Sequence, residues 1–154
     1  ETQSGTSRTL PGPTGERNVY TLAPRARVLC LAQSVDDLLT QTAAVLATGG
    51  TALWPNAQAS LRAQLPTLVQ AKVMLQDNTL NDGTLELDAV LHHGDTPSLQ
   101  AVCTALARRA GPIVGVTALQ PGATDIPLER LMIERALSVN TAAAGGNASL
   151  MTIG

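Results

Sequence analysis

The chain has 154 residues, the size of a single domain, and 44% of them are hydrophobic, which excludes an intrinsically disordered protein. Charged residues make up 14%, against about 25% in an average soluble protein, so much of the surface is expected to face protein rather than water. The net charge of −2 and the near absence of aromatic residues exclude a phosphate-seeking surface and base-stacking platforms, so nucleic acid is not an expected partner.

The N-terminal part of the chain predicts a linker followed by strands. Residues 1–17 are rich in Gly, Pro, Ser and Thr, which is typical of a linker. Short strands are predicted at residues 18–22 and 27–32, and the second is continuously apolar, as in a strand buried on both faces of a sheet. Ser34 is a predicted N-cap for a helix that ends at Gly49.

Strands and helices alternate through the rest of the chain. Further strands are predicted at 51–54, 72–76, 87–91 and 113–119, with extended structure at 128–141 and a helix as the alternative for 128–136. Two more helices are predicted, one capped by Asn56 and one capped by Asp95 or Thr96. The apolar face of the second helix consists of Leu99, Val102, Cys103, Leu106 and Ala107. This alternation predicts a Rossmann-like α/β fold with a mostly parallel sheet, an N-terminal β-hairpin element and an extended C-terminal tail.

No residue pattern predicts a nucleotide, metal or catalytic site. The turn after the strand at 27–32 lacks the Gly-x-Gly-x-x-Gly pattern that admits a pyrophosphate, and Gly49-Gly50 is interpreted as a helix end. His92 and His93 follow a predicted strand, but adjacent residues of a strand point to opposite faces and cannot easily share a metal. We therefore predict no catalytic, cofactor-binding or metal-binding residue in this chain.

The cysteines and the charged residues near the C-terminus favour structural roles. Cys30 and Cys103 lie in apolar runs far apart in sequence, so both are predicted to be buried, reduced thiols of a cytoplasmic protein. The alternating charges at 129–135 predict ion pairs on the edge of a strand or helix. No apolar run approaches the roughly 18 residues that span a bilayer, and no signal peptide is recognisable. Because the first residue is Glu1 and not methionine, we expect a fragment of a longer protein.

The tail at 138–154 carries no charged side chain, although terminal segments are usually polar. Apolar residues alternate there with small or hydroxyl residues around a Gly-Gly break, a pattern typical of a strand-forming segment that docks on another surface, of an aggregation-prone segment or of a frayed end with some apolar residues. If the tail docks, the residues expected to form the interface are Val139, Asn140, Thr141, Gly145, Gly146, Asn147, Leu150 and Met151.

The stretch at 131–154, LMIERALSVNTAAAGGNASLMTIG, closely resembles the C-terminal signature of long proline utilization A proteins. These bacterial flavoenzymes join proline dehydrogenase to L-glutamate γ-semialdehyde dehydrogenase in one chain. The run LPGPTGERN at 10–18, with Pro24-Arg25 and Arg27-Val-Leu-Cys30, resembles the join between their aldehyde dehydrogenase domain and their C-terminal domain. Leu53-Trp-Pro55, Asp88-Ala-Val90 and His93-Gly94-Asp95 fit that domain too.

The resemblance implies three parts: a linker at 1–17 from the upstream aldehyde dehydrogenase domain, an aldehyde-dehydrogenase-superfamily-like Rossmann domain at 18–137, and an interaction motif at 138–154. It implies a non-catalytic lid that covers the substrate-channelling cavity of a cytoplasmic proline-catabolic enzyme and supports its aldehyde dehydrogenase site. FAD and NAD would belong to the absent upstream domains, and this fragment would hold no cofactor.

The partner implied by the resemblance is the aldehyde dehydrogenase domain of the same chain or of a second subunit. Homo-oligomerisation, peripheral membrane association of the parent and an N-terminal DNA-binding domain in the parent stay open. Two alternatives to the lid also stay open: a stand-alone nucleotide-binding α/β domain, and an oligomerisation module that acts by strand addition through the tail.

Overall fold

The computed structural model describes residues 5–77, 80 and 83–140, which form two separate β-sheets and four α-helices. The strands are β1 Ser7–Leu10, β2 Glu16–Pro24, β3 Arg27–Ala32, β4 Thr51–Pro55, β5 Val73–Gln76, β6 Ala89–His93, β7 Gly115–Leu119 and β8 Met132–Asn140. The helices are α1 Val35–Thr48, α2 Ala59–Arg62, α3 Thr67–Gln70 and α4 Thr96–Arg108.

The larger sheet is parallel and has the order β5-β4-β3-β6-β7. Numbered along the chain, its strands read 3-2-1-4-5, which is the doubly wound order of a Rossmann fold. The strand order reverses at β3, because β4 and β5 are added on one side of it while β6 and β7 are added on the other. The predicted α/β fold class is thereby confirmed.

Helix α1 has the ends that its sequence predicts. The Ser34 hydroxyl accepts a hydrogen bond from the Asp37 amide at 3.1 Å, and Gly49 ends the helix with φ 93°. Glycine adopts this left-handed conformation without the steric cost that a side chain brings. Leu38 and Val45 are buried against the sheet.

The prediction of one continuous helix after Asn56 is wrong. A 3₁₀ turn at Asn56–Gln58 leads into two single-turn helices, α2 and α3, and Asn56 caps neither of them. Pro66 separates the two helices because proline offers no amide hydrogen and disfavours helical conformation in the residue before it.

Helix α4 is capped by Asp95, whose carboxylate accepts a hydrogen bond from the Ser98 amide at 2.9 Å. Val102 is its one fully buried residue. Cys103 and Ala107, predicted to face the core, are exposed instead. The prediction of a buried thiol is therefore wrong for Cys103. The apolar residues of α4 cover a wider arc of the helix than the part that packs against the sheet, so some of them face solvent.

Two apolar clusters lie on the two faces of the parallel sheet. One joins α1 to Val28, Cys30 and Trp54, and the other joins α4 to Leu29 and Val90. Adjacent residues of β3 thus belong to opposite layers, as the alternation of side chains along a strand requires. Both faces of β3 are buried, as its continuous apolar run predicts.

The smaller sheet is antiparallel, with the order β1-β2-β8. Its hairpin, formed by β1 and β2, confirms an N-terminal β-hairpin element. β1 lies within the range predicted as a linker, whereas β2 contains the strand predicted at 18–22. Gly15, at φ 86°, lies in the turn between them. The segment at 128–141 begins with a 3₁₀ turn, Leu128–Leu131, and continues as β8. The extended prediction therefore holds from Met132 onward.

Arg25 joins the two sheets. Its Nε donates to the Arg130 carbonyl at 2.9 Å and its Nη1 donates to the Asp88 carbonyl at 3.0 Å. The Arg25 amide donates to the Leu131 carbonyl at 2.8 Å, and the Arg27 amide donates to the Asp88 carboxylate at 2.9 Å. These bonds fix the chain where it leaves β2, enters β3 and returns to β8.

The ion pairs predicted among the charged residues at 129–135 are wrong. Within the described part of the chain, these residues make no ion pair with one another, and the ion pair that is present joins Arg27 to Glu86 at 3.0 Å. Glu134 instead accepts a hydrogen bond from the Tyr20 hydroxyl across β2 and β8. Desolvation is the largest cause of the raised pKa of Tyr20, and this hydrogen bond raises it further. Cross-strand pairing fixes these partners, and sequence spacing alone does not show it.

Candidate functional site

A cleft of about 170 Å³ opens at the carboxyl edge of the parallel sheet, between β3 and β6. This is the point where strand order reverses, and open α/β sheets bind their ligands there. The cleft is lined by Cys30, Leu31, Ala32, Gln33, Leu38, Pro55, Gln58, His92, His93, Ser98 and Val102. The lining includes neither a lysine or arginine nor an aspartate or glutamate, so it is an apolar site with a few neutral polar groups.

The turn that would receive a pyrophosphate is unsuited to it. Ala32, Gln33 and Ser34 connect β3 to α1, and each carries a side chain where dinucleotide-binding turns have glycines. The Ser34 hydroxyl already accepts the hydrogen bond that caps α1. The geometry thus argues against a phosphate at this turn, and the absence of a cofactor stays a prediction.

His92 is a buried polar residue that lines the cleft. It is 4% exposed, and its Nε2 lies 3.1 Å from the Ser98 hydroxyl oxygen, which donates to the Asp95 carbonyl at 2.9 Å. The Ser98 hydroxyl thus lies within hydrogen-bond distance of both the imidazole and the first turn of α4. His92 Nδ1 is buried and has no hydrogen-bond partner among the described residues.

His93 points to the other face of the sheet. Its Nδ1 lies 2.9 Å from Gln41 Nε2, and its Nε2 lies 2.9 Å from the Ala123 carbonyl. An amide NH₂ only donates and a carbonyl only accepts, so the His93 proton is on Nε2. The prediction that the two histidines face opposite sides is confirmed, although both lie within β6 and not after it. The described residues hold no group of three or more His, Cys, Asp or Glu side chains that could bind a metal.

The contact between His92 and Ser98 requires a residue without a side chain at Gly94. A Cβ built on Gly94 would lie 2.6 Å from His92 Cε1 and 2.7 Å from the Ser98 hydroxyl oxygen. Both distances are shorter than packed atoms tolerate, so a side chain there would push the imidazole or α4 aside.

We expect Gly94→Ala to lower the free energy of unfolding by about 1–2 kcal/mol through this overpacking. The change can be measured by urea unfolding with the fluorescence of Trp54, the single tryptophan. Gly111→Ala is a control for the loss of glycine without a clash, since a Cβ there meets no atom within 4 Å, although its φ of 104° adds backbone strain. If Gly94→Ala also breaks the Ser98 contact, His92 should show a changed imidazole ¹⁵N spectrum, which Gly111→Ala should leave unchanged.

The stability of the domain should fall as the solution is acidified through the range in which free histidine titrates. Burial lowers the pKa of His92 below its usual 6.5, and nearby Asp95 opposes this shift only partly. Between the folded pKa and 6.5 the unfolded chain binds a proton that the native chain does not, so acid favours unfolding. We expect urea midpoints to be constant above pH 7 and to decline below pH 6.5. A midpoint that rises over that range would contradict this assignment.

Cys30 is an unsuitable nucleophile. It is fully buried beneath α1, and burial strongly raises the pKa of its thiol. Since the thiolate is the reactive form, Cys30 is expected to be inert. This agrees with the structural role predicted for it.

The antiparallel sheet presents a second candidate site, a surface for another protein segment. Glu134 through Asn140 of β8 are all exposed, and successive strand residues point to opposite faces, so both faces of the sheet are open along this stretch. On one face, Val19 and Leu137 are cross-strand partners, and Val139 follows two positions along. Leu137 is 60% exposed and Val139 is 41% exposed, which makes an apolar strip on a solvent-facing sheet.

β8 is also an edge strand. It pairs with β2 over its whole length of nine residues, and no strand of the described ranges pairs with its other side. Long unpaired edges can pair with another chain unless something covers them. Of the predicted interface residues, Val139 and Asn140 lie at the end of this strand, while Thr141, Gly145, Gly146, Asn147, Leu150 and Met151 lie outside the described residues.

A third apolar surface lies between α4 and the edge strand β7. It forms a groove of about 690 Å³. Ile113 is fully exposed beside it, and Cys103 on α4 also faces outward. The groove's apolar lining further includes Leu106, Ala107, Val114 and Val116. These residues have the sequence pattern of core positions, so the pattern does not predict this surface.

Solved structures share the Rossmann domain. The chain superposes on a mutant of proline utilization A of Bradyrhizobium japonicum with a TM-score of 0.56 at 23% identity, covering 77% of this chain and 14% of that one. It superposes on an NADP-dependent enzyme of E. coli with a TM-score of 0.53 at 15% identity, covering 77% and 28% of the two chains. A putative aldehyde dehydrogenase from Burkholderia cenocepacia gives 0.50 at 15% identity, covering 73% and 27%. These likenesses show a shared Rossmann fold.

Sequence relatives are more specific, although no family model matches the chain. It is 54% identical over 154 residues to the bifunctional protein PutA of Escherichia coli K12 and 56% identical over 155 residues to that of Salmonella typhimurium LT2, in each case covering 99% of this chain. PutA of Rhizobium meliloti is 41% identical over 153 residues. The chain spans 12% of the length of each of these relatives. It belongs to the proline utilization A family, as its tail sequence predicts, and corresponds to a short segment of those proteins.

Among the described residues, no helix is long and apolar enough to cross a membrane.

Proposed function

We propose that this chain is the C-terminal domain of a bifunctional proline-catabolic enzyme of the cytoplasm, and that it acts there without catalysis of its own. It packs on the aldehyde dehydrogenase domain of the same chain or of a second subunit, covers the cavity through which the semialdehyde passes, and supports the semialdehyde dehydrogenase site. FAD and NAD are bound by the other domains.

The observation that carries this proposal is the open antiparallel sheet. Its strand β8 has an unpaired edge within the described ranges and ends at the start of the predicted interaction motif. A three-stranded sheet exposed on both faces buries little apolar surface by itself, so docking on a larger domain would add much of its stability. The strip of Leu137 and Val139 supplies apolar contact, and the edge supplies backbone donors and acceptors.

The α4–β7 groove supports the same proposal from the other sheet. Apolar side chains on an exposed helix face are typical of an interface between domains. A charged-residue content of 14% agrees with a domain that buries several of its surfaces in a larger protein. Attachment to the rest of the chain would raise the effective concentration of each surface, so individual contacts need not be strong.

The lack of catalysis is supported by the chemistry of the cleft. Its turn carries side chains in place of the pyrophosphate glycines, and Cys30 is buried with a raised thiol pKa. His92 and His93 make separate hydrogen-bonded contacts on opposite faces of the sheet. These groups do not form a nucleophile–base pair.

The proposal is tested by deleting residues 138–154 from the full-length enzyme. Semialdehyde oxidation and coupled conversion of proline to glutamate should be impaired, while proline oxidation persists because its site lies in another domain. Unchanged coupled turnover would refute the lid function.

Point variants distinguish the loss of docking from other effects of deleting residues 138–154. Val139→Glu and Leu137→Glu place charge on the apolar strip and should reproduce the deletion. Ala136→Glu places the same charge on the opposite face of β8, one residue away. If all three variants behave alike, disruption of the strand and not the apolar strip is responsible.

A further inference from the structure

The antiparallel sheet is joined to the rest of the domain at one end only. Among the described elements, its strands make their extensive contacts with one another and with the 3₁₀ turn Leu128–Leu131, and none of them packs broadly on the parallel sheet. At this end, β2 leads into β3 through Arg25 and Ala26, and β8 starts directly after the 3₁₀ turn. The direction in which the sheet points is therefore determined by a few residues at its base.

A small change of angle at this base is magnified along the sheet. β8 has nine residues, from Met132 at the base to Asn140 at the far end. At about 3.4 Å per residue, the far end lies about 27 Å from the base, so a turn of about 10° at the base would move it by about 5 Å. Leu137 and Val139 lie in the outer half of β8, and apolar side chains lose contact with a partner when they are displaced by this much.

Arg25 holds the base through bonds to two other segments. Its Nε donates to the Arg130 carbonyl at 2.9 Å, and its Nη1 donates to the Asp88 carbonyl at 3.0 Å. Its amide donates to the Leu131 carbonyl at 2.8 Å. Arg130 and Leu131 lead into β8 of the antiparallel sheet, whereas Asp88 precedes β6 of the parallel sheet. One residue thus ties the two sheets together.

Both side-chain bonds require the shape of a guanidinium group. Its N–H bonds lie in one plane and point in fixed directions, so one group can donate to two carbonyls on different segments. Lysine would keep the charge, but its ammonium is a single point on a flexible stem. Arg25 makes no ion pair within the described ranges, so its charge strengthens bonds to backbone carbonyls and not to a carboxylate.

We propose that Arg25 is a positioning residue for the docking of the antiparallel sheet. Its forked contact sets the angle between the two sheets and so brings the strip of Leu137 and Val139 to the surface on which it docks. Arg25 touches no substrate and acts through β8. This inference rests on the lid function proposed above and adds the base of the sheet to the features on which semialdehyde oxidation depends.

The angle between the sheets can be measured without reference to activity. In the full-length enzyme, genetically encoded spin labels are placed at Thr14, in the exposed turn between β1 and β2, and at Ala43, on the exposed side of α1. Pulsed electron paramagnetic resonance then gives the distance between the labels. Arg25→Lys and Arg25→Gln should shift or broaden this distance by about 5 Å, the displacement expected at the far end of the sheet.

Arg27→Gln is the matched control for the loss of a positive charge near the base. Arg27 pairs with Glu86, whose side chain is 83% exposed, and its side chain makes none of the bonds that Arg25 makes. The label distance should therefore stay at the wild-type value in Arg27→Gln. Thermal melting establishes that each variant is folded, and the second Arg25 variant guards against the failure of one. An unchanged distance in the folded Arg25 variants would overturn the proposal.

The time course of coupled turnover gives a second readout, which a smaller fraction of folded enzyme would not reproduce. In Arg25→Lys, proline oxidation should match the wild type, whereas NADH formation from proline should start after a lag because the semialdehyde escapes into solution. A loss of folded protein would lower both rates by the same factor without a lag. A shifted label distance without a lag would overturn the positioning role, because docking would then not depend on the angle.

Deletion of residues 138–154 separates this inference from the lid function. If the deletion impairs coupled turnover and both Arg25 variants behave like the wild type, the positioning role is wrong and the lid function stands. If neither the deletion nor the Arg25 variants affect coupled turnover, the lid function is wrong, and the positioning role is wrong with it.

Discussion

Replacing Trp54 with alanine should lower the free energy of unfolding by about 3–5 kcal/mol, the range observed when a large buried aromatic side chain is truncated. Trp54 is the next-to-last residue of β4 and is 0% exposed. Its ring packs in the cluster that joins α1 to the parallel sheet. Its indole Nε1 also donates to the Thr42 hydroxyl at 2.9 Å, and that hydroxyl donates to the Leu38 carbonyl at 2.8 Å.

The size of this loss can be divided between packing and hydrogen bonding. Trp54→Phe keeps most of the apolar volume and removes the donor, so it should cost about 1–2 kcal/mol less than the alanine variant. Since the fluorophore is lost, unfolding should be followed by far-UV circular dichroism. Equal losses for the two variants would show that the hydrogen bond to Thr42, and not the packing of the ring, dominates.

The parts of the fold that depend on local chemistry could be predicted from the sequence. Ser34 and Asp95 cap their helices because a short polar side chain before an apolar helix satisfies the first free amides. Gly49 ends α1 because glycine tolerates the left-handed conformation. The continuous apolar run of β3 predicts a strand covered on both faces, and alternation with helices predicts a parallel sheet.

The parts that depend on distant pairing could not be predicted in this way. The residues of β1 are mostly polar and look like a linker, and β1 becomes a strand because β2 lies beside it. The partners of Glu134 and Arg135 likewise depend on the register between β8 and β2. Sequence spacing records contacts within one element, whereas these contacts join elements that are far apart in the chain.

The candidate sites also depend on contacts between distant elements, so the sequence predicts them only in part. An apolar helix residue that faces another domain has the same pattern as one that faces its own core, so Cys103 and Ala107 were assigned to the wrong side of α4. The contact between His92 Nε2 and the Ser98 hydroxyl depends on the missing side chain of Gly94, which no spacing in the sequence reveals. The docking role of the tail came from its family resemblance, and the composition indicated only that the tail is unusually apolar.

His93→Leu should cost about 2–4 kcal/mol, because it leaves buried polar groups without partners. His93 is 1% exposed and connects Gln41 of α1 to the carbonyl of Ala123. The next residue back, Gly122, donates its amide to Asp37 of α1 at 2.9 Å. These two contacts hold the segment that runs from β7 towards β8 against α1.

A double-mutant cycle with Gln41→Leu measures the part of this energy that is shared. The Gln41 amide also donates to the Leu31 carbonyl at 2.9 Å, so Gln41→Leu alone breaks two bonds. If the histidine and glutamine act together, the double variant should lose about 1 kcal/mol less than the sum of the two single losses. Strict additivity would show that the 2.9 Å contact between them contributes little.

The functional consequence concerns β8 and the tail. With His93 replaced, hydrogen exchange should increase at residues 120–131, while β3 and β4 keep their protection. If the tail docks as proposed, this loosening should also reduce semialdehyde oxidation in the full-length enzyme, since the strand leading into the tail is no longer held at a fixed position on α1. Faster exchange at 120–131 with unchanged coupled turnover would show that Arg25 and its bonds to Arg130 and Asp88 are sufficient to position β8.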